Sequence, residues 1–396
     1  MTSSTFPLQG VLVVAVEQAV AAPFASRQLA DLGARVIKIE RPGTGDFARS
    51  YDATVNGLAS HFVWTNRSKE SLTLDLKRPE AAEALGRLVE RADVFLHNLA
   101  PGAVSRLGFG SPALRASHPR LITCEISGYG TAGPYRDKKA YDLLVQSEAG
   151  LVSITGTGDT PSKVGISIAD IAAGMYAFSG ILAALLRRER TGEGAAVEVS
   201  LFDALAEWMG YPAYFTEYGG AAPPRTGARH AAIAPYGPYP AGDGRTVYLG
   251  IQNEREWARF CAEVLEQPAL AADARFTSNS SRVEHQEALT AIITAAFAGL
   301  TAASVVERLD AAGIANARMN TVQEFVDHPQ LADRDRWREI ESPVGTLRAL
   351  LPPFDISGMQ PRMSAIPDLG EHTDAILLEI GFGVDTIAAW RREGIV

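Results

Sequence analysis

Asp170 stands alone at the head of an uncharged stretch, in Gly165-Ile-Ser-Ile-Ala-Asp170-Ile-Ala-Ala-Gly-Met-Tyr-Ala-Phe-Ser-Gly180, with no Lys or Arg within six positions on either side. A carboxylate taken out of water is costly unless it has a partner or a task. The chemistry open to it is covalent catalysis, in which a carboxylate oxygen attacks an electrophilic centre. The rival reading is a helix cap: an Asp in the first turn accepts backbone N–H groups, and the helix dipole favours its charge by roughly 0.3–1 kcal/mol. Gly165 and Gly174 allow close backbone approach. The helix predicted from Ile171 to Leu186 has no polar face, so its mouth is expected to open into the interior, where a cap would be a desolvated anion of low pKa. Asp170 is therefore the best nucleophile candidate in the chain.

The elements that must position it read as α/β. Gly10–Glu17 is a buried strand, residues 23–32 a helix with Pro23 at its start and Gly33 past its end, and Ala34–Glu40 a second strand, an order that predicts a right-handed βαβ unit. A helix over Pro79–Arg91 leads to strands at Asp93–Asn98 and Arg120–Ile126, so the first half carries a Rossmann-like, largely parallel sheet. Between Tyr218 and Pro238 the texture turns to Gly, Pro, Arg and Tyr, a linker or an active-site loop. A strand at Thr246–Ile251 and helical patterns near 253–265, 282–299 and 301–312 follow and predict a second, smaller domain. Short strands and turns come after Gln330, and two helices, near 373–380 and 384–392, end the chain. Glu40 ends the second strand where a dinucleotide fold would hold a ribose. The first turn, Gln18-Ala-Val-Ala-Ala-Pro23, lacks the G-x-G-x-x-G that a pyrophosphate requires, which argues against NAD or FAD.

At 396 residues and 46% hydrophobic, the chain can bury a large core in two domains. A net charge of −9 argues against general binding to nucleic acid or to anionic membranes, so an anionic ligand needs a local basic pocket. Two distant cysteines, Cys124 and Cys261, support neither a disulfide framework nor a zinc motif and fit a reducing cytoplasm. The start, Met1-Thr-Ser-Ser-Thr-Phe-Pro7, lacks the features of a signal peptide, and the run 171–186 is short for a membrane span. No membrane association and no metal are expected.

Several segments together resemble the class III coenzyme A transferases, the family of formyl-CoA transferase, carnitine CoA-transferase and α-methylacyl-CoA racemase. They are Leu29–Pro42 with Gly45-Asp46, Asn66–Lys77, Ala92–Asn98 with Pro101-Gly102 and Arg106-Leu-Gly108, Ser127–Gly130, Tyr141-Asp142, Asp170, Arg190–Gly194 and Leu369-Gly-Glu-His-Thr373. Their order runs over nearly the full length. The resemblance implies that Asp170 is the nucleophile and that no tightly bound cofactor is needed, coenzyme A thioester being the substrate. It implies that Arg41, Arg106 and Lys139 meet the nucleotide and phosphates, with Arg136 and Lys138 nearby, and that Ala19 and Leu107 also line the CoA site. Gln18–Ala22 would line the thioester site with backbone donors for an oxyanion. Val20, His61 and Tyr141 fall near the acyl group; for His372 neither catalysis nor helix capping is preferred.

The resemblance further implies a large α/β domain built from both ends of the chain (1–205 and 326–396), a linker at 206–225, a small α+β domain at 226–325 and an interlocked homodimer. Within the family the racemase branch pairs a histidine with an aspartate, whereas Tyr141 stands at the histidine's place; an unperturbed phenol near ~10 suits proton abstraction poorly. Val20 replaces a glutamine of formyl-CoA transferase, whose glycine-run loop also has no counterpart here, against an oxalate-specific assignment. The segments around Ala19–Ala25 and His61–Lys69 look closest to enzymes of C4 or C5 dicarboxylates such as mesaconyl-, itaconyl- or succinyl-CoA, with transfer within one mesaconate also open. A second carboxylate needs a cation or donors, for which Arg49, Arg225, Arg229 and Tyr236 are candidates. The alternatives are a 2-methylacyl-CoA epimerase and an acyl-CoA-binding homologue without turnover.

Overall fold

Five apolar residues, Leu12–Val16 (β1), run through the middle of a six-stranded sheet whose two faces are both covered. Because side chains alternate along a strand, Val13 and Ala15 enter one core and Val14 and Val16 the other. The computed structural model describes residues 6–396; residues 1–5, part of the amino-terminal stretch read above for a targeting signal, lie outside the described residues. The other strands are β2 (Arg35–Glu40), β3 (Lys69–Thr73), β4 (Val94–His97), β5 (Ile122–Ser127) and β6 (Ala196–Ser200). Every pairing is parallel, in the order β3-β2-β1-β4-β5-β6. The order reverses between β1 and β4, and at such a switch the carboxyl ends of the strands open a crevice for ligands.

The helix α1 (Ala21–Asp31) covers the Val13 face together with a long helix, Ile168–Thr191, which begins a turn earlier than its uncharged run. That helix is long and apolar enough to cross a membrane by length and composition, yet half of its most apolar window is buried inside the fold. Gly192, at φ 76°, ends it. The opposite face is covered by Pro79–Val89 and by the two carboxyl-terminal helices, Thr373–Glu379 and Val384–Arg392. The Gly-Glu-His-Thr segment seals the β3 edge: Gly370 N donates to Ser71 Oγ (2.9 Å), His372 N to Ser71 O (3.0 Å) and Thr73 N to Thr373 Oγ1 (3.1 Å).

The chain divides into two compact units, residues 1–151, 164–211 and 332–396 in the first and 152–163 with 212–331 in the second. The stretch expected as a linker at 206–225 is instead mostly helical, over Leu201–Trp208 and Gly210–Gly219. Residues 152–163, expected in the large domain, belong to the second unit because Arg225 donates to the Ser153 and Thr157 carbonyls (3.0 and 2.8 Å). Within that unit, β7 (Tyr236–Pro240), β8 (Thr246–Gly250) and β9 (Ala315–Arg318) form an antiparallel sheet. Trp257, Phe260, Phe276, Ile293 and Phe297 fill its core.

Gly174 is where α1 and the long helix touch: a Cβ there would lie 2.7 Å from Ala21 O and 3.1 Å from Phe24 Cδ1. Gly165, by contrast, has open space around it. Gly174→Val should therefore destabilise the protein by about 1–3 kcal/mol through overpacking, read as a lowered denaturation midpoint at unchanged m-value. An unchanged midpoint would contradict this packing.

Candidate active site

Asp170 is the third residue of the long helix, and it is not the cap. Asp142 caps the helix: its Oδ1 accepts the N–H groups of Ala169 (2.7 Å) and Asp170 (3.3 Å), while Gln146 Nε2 holds its Oδ2 (2.6 Å). The donors that were to keep Asp170 ionised are thus taken by a second carboxylate. The Asp170 carboxylate itself has no hydrogen bond or ion pair among the described residues. Its pKa is pushed up to about 7 by burial first and by the Asp142 charge second, the reverse of the low pKa expected of a cap. The side chain keeps some solvent access, so it lies at an opening.

Ala21 O meets the long helix at Gly174, four residues and one turn beyond Asp170 on the same face. The turn between β1 and α1 therefore lies beside Asp170. Ala19 holds φ 62°, a left-handed conformation that costs a non-glycine residue energy and needs support. Gln18 N donates to Asn98 Oδ1 (2.9 Å) and Ala19 N to Asp46 Oδ1 (3.0 Å), so two of the donors expected for an oxyanion are already used. The N–H groups of Val20, Ala21 and Ala22 have no acceptor among the described residues. Val20 is buried, at 2% exposure, and Ala19 is half-buried.

Tyr51, which sequence reasoning missed, belongs here. Its phenol is pushed up to about 12 by burial and by the Asp46 and Asp170 carboxylates and Tyr141. Its ring meets His61 edge-on at 5.5 Å. His61 Nδ1 lies 4.0 Å from Asp52 Oδ2, too long for a hydrogen bond, and finds no other partner among the described residues. Tyr141 precedes Asp142 with its side chain 68% exposed. The signal for Tyr51 was its place five residues past Asp46 in a motif already singled out; nothing in the spacing aimed it at Asp170.

The expected phosphate-binding cations differ in availability. Arg41 follows β2, Arg106 ends the short helix Ala103–Arg106 after β4, and Lys139 lies in the loop after β5, all exposed and without a partner among the described residues. Leu107, next to Arg106, is half-buried against the core. Lys138 pairs with Glu148 and Arg136 with Asp137.

The candidates for a far carboxylate fare worse. Arg49 grips Glu40 through two bonds of 2.8 Å and lies 3.7 Å over the Phe62 ring, so it is a structural cation and not a free one. Glu40 is held down to about 2, its burial being overridden by Arg49 and Lys38. In the second unit, Arg225 is taken by the carbonyls of loop 152–163, and Tyr236 stacks on His230 at 5.3 Å. Of these candidates, Arg229 keeps a buried Nη1 without an acceptor among the described residues. His372 Nδ1 accepts from Ser71 N (3.3 Å), a contact in the edge seal and not a catalytic arrangement.

A carboxyl whose pKa is raised on folding stabilises the fold below its unfolded value, 3.8, and loses that contribution as pH rises through its folded value near 7. Asp170→Asn, neutral at every pH, should therefore raise Tm relative to the parent above pH 7. The gain should shrink as pH falls toward 4. A pH-independent Tm difference would show that the Asp170 charge is not strained.

The chain matches CoA-transferase family III over residues 8–373. It is 33% identical to a succinate–glutarate CoA-transferase of Agrobacterium fabrum, over 94% of this chain and 96% of that one. It is 36% identical to an acetyl-CoA:oxalate CoA-transferase of Acetobacter aceti, over 83% of this chain and 85% of that one. The crystal structure of a CAIB/BAIF family protein from Brucella suis superposes with a TM-score of 0.83 at 33% identity, covering 94% of this chain and 99% of that one. With its six-stranded parallel sheet, the reversal of strand order between β1 and β4 and its match over nearly the whole length, the chain belongs to the family III CoA-transferases.

Proposed function

We propose that the protein moves CoA between a dicarboxylyl-CoA and a carboxylic acid, with Asp170 as nucleophile. The observation that carries this reading is an unpartnered carboxylate, pushed up to about 7, at the mouth of an apolar helix. An Asp170 oxygen attacks the thioester carbonyl, the C–S bond breaks, and a mixed anhydride and CoA thiolate result. The thiolate then attacks the aspartyl carbonyl, releasing the donor acid and leaving an aspartyl-CoA thioester. The acceptor acid reverses the two steps. Each step exchanges activated acyl groups of similar energy, and a bound thiolate makes the second attack effectively unimolecular. Water must be kept out, a task suited to the apolar residues around the helix mouth. Arg41, Arg106 and Lys139 are assigned to the CoA phosphates because they are the unpaired cations around the crevice's strand ends. Tyr51, His61 and Tyr141 are assigned to the acyl pocket.

Succinate, glutarate and oxalate, named for the relatives, are dicarboxylates, while acetyl-CoA, named together with oxalate, carries a monocarboxylic acid; C4 or C5 dicarboxylic acids are the substrates favoured here. Incubation with succinyl-CoA should leave an adduct on the Asp170 peptide that hydroxylamine releases. Asp170→Ala should lose the adduct and cut transfer by on the order of a thousandfold or more. A panel of succinyl-, mesaconyl-, itaconyl- and formyl-CoA and a branched acyl-CoA against matching acids ranks the substrates. Full transfer by Asp170→Ala would end the mechanism, and α-deuterium uptake without an acceptor would favour the epimerase.

A homodimer, interlocked as in the resembling family, and a cytoplasmic location complete the proposal. Both cysteines are free and buried, which suits a reducing compartment. Leu186, Trp208, Met175 and Tyr176, on the long helix and the helix after it, are 56, 46, 38 and 37% exposed, a face that a second copy would cover. Sedimentation should find a dimer whose dilution brings unfolding. A well-folded monomer at low concentration would rule out interlocking.

A further inference from the structure

Asp46 binds both walls of the site. Its Oδ1 accepts Ala19 N (3.0 Å) on the β1–α1 turn and Ala48 N (2.9 Å) in the turn Phe47–Ser50 that leads to Tyr51. Its Oδ2 accepts from Lys38 Nζ (2.8 Å). Lys38 lies 3.4 Å from Glu17, and Glu17 binds Lys69 Nζ (2.7 Å) and Ser26 Oγ (2.6 Å). Lys69 closes the circuit on Pro23 O and Asn66 Oδ1, both at 3.0 Å. Lys38, Asp46, Glu17 and Lys69 are 0, 1, 1 and 3% exposed. Such a network resists displacement, because moving any member leaves a buried charge unpaired. None of these groups bonds the Asp170 carboxylate among the described residues.

We infer that Asp46 is a positioning residue for the reaction proposed above: it holds the Ala19 peptide left-handed, and so fixes the unpaired N–H groups that follow it, and the Tyr51 wall, against Asp170. The inference rests on that reading of Asp170. Its physical basis is that alanine at φ 62° returns to a right-handed or extended conformation once its anionic acceptor is weakened. Glycine at position 19 has no such bias.

The test is single-turnover formation of the aspartyl-CoA adduct, with steady-state kcat and KM alongside. Asp46→Asn, which keeps the shape and weakens the clamp, should slow adduct formation and kcat about tenfold or more, with KM for acyl-CoA within about twofold. Ala19→Gly in that background should restore about fivefold or more of the lost rate, since glycine keeps the turn without the clamp. A merely structural Asp46 would give no such rescue. Parent-like rates in Asp46→Asn, or lost rates that Ala19→Gly does not restore, would overturn the inference. Where Asp46→Asn does not fold, Lys38→Met with Asp46→Asn removes both halves of the pair, and the same loss and rescue are expected. Absence of an adduct in the parent protein would sink the nucleophile reading itself, separately from the role of Asp46.

Discussion

A buried lattice of opposite charges ties the carboxyl ends of β1 and β2 to the amino end of β3. Glu17, Asp46 and Glu40 face Lys38, Lys69 and Arg49, three anions against three cations, beside the apolar core positions of the sheet. Burial pulls the Lys69 ammonium down to about 7, while Glu17 is held below the usual carboxylate range because Lys69 and Lys38 override its burial. The Lys69 ammonium has three acceptors, Glu17, Pro23 O and Asn66, and only the protonated form can donate to all three. A buried ion pair contributes little net stability over an apolar filling. What it does contribute is a single arrangement: the turn before α1, the turn carrying Arg49 and Tyr51, and the edge strand β3 can dock in one register. The functional crevice is built on that register.

The same lattice explains which parts of the fold the sequence discloses. Strands β1, β2, β4 and β5 are continuous apolar runs or follow clear helix stops, so their periodicity carries them. Strand β3, Lys69-Glu-Ser-Leu-Thr73, looks polar because Lys69 is a lattice member and Ser71 and Thr73 bind the carboxyl-terminal return. Strand β6 is an edge with Ala196 and Glu198 exposed, and its run is too mixed to stand out. A lysine that belongs to a core and a lysine that belongs to solvent read alike in one chain. For the same reason Arg49 looked like a free cation, when its partner Glu40 lies nine residues back on a different element.

At the site, residue type was informative and residue partnership was not. The isolation of Asp170 in sequence carries over to space, since its carboxylate is unpaired among the described residues. Its proximity to Asp142 joins positions 28 apart and follows from the packing of Asp142–Glu148 against the long helix, which no local pattern reports. Tyr51 came to light in the same way, through its packing beside His61 and its coupling to Asp170.

The placement of Asp142 bears directly on the proposed chemistry. Had Asp170 capped its own helix, its anion would be stabilised by backbone donors and made a poorer nucleophile, and acylation would forfeit those bonds. With Asp142 taking the donors, the ionised Asp170 is disfavoured twice, by burial and by a neighbouring like charge. Both penalties vanish when the carboxylate becomes a neutral anhydride or thioester. In the proposed mechanism the site would therefore disfavour the free nucleophile relative to each covalent state, which would lower the barrier to forming them without binding the acyl group more tightly. The covalent states must then be dischargeable by an incoming carboxylate and not by water. We assign that task to the turn at Ala19, whose left-handed backbone is clamped by Asp46.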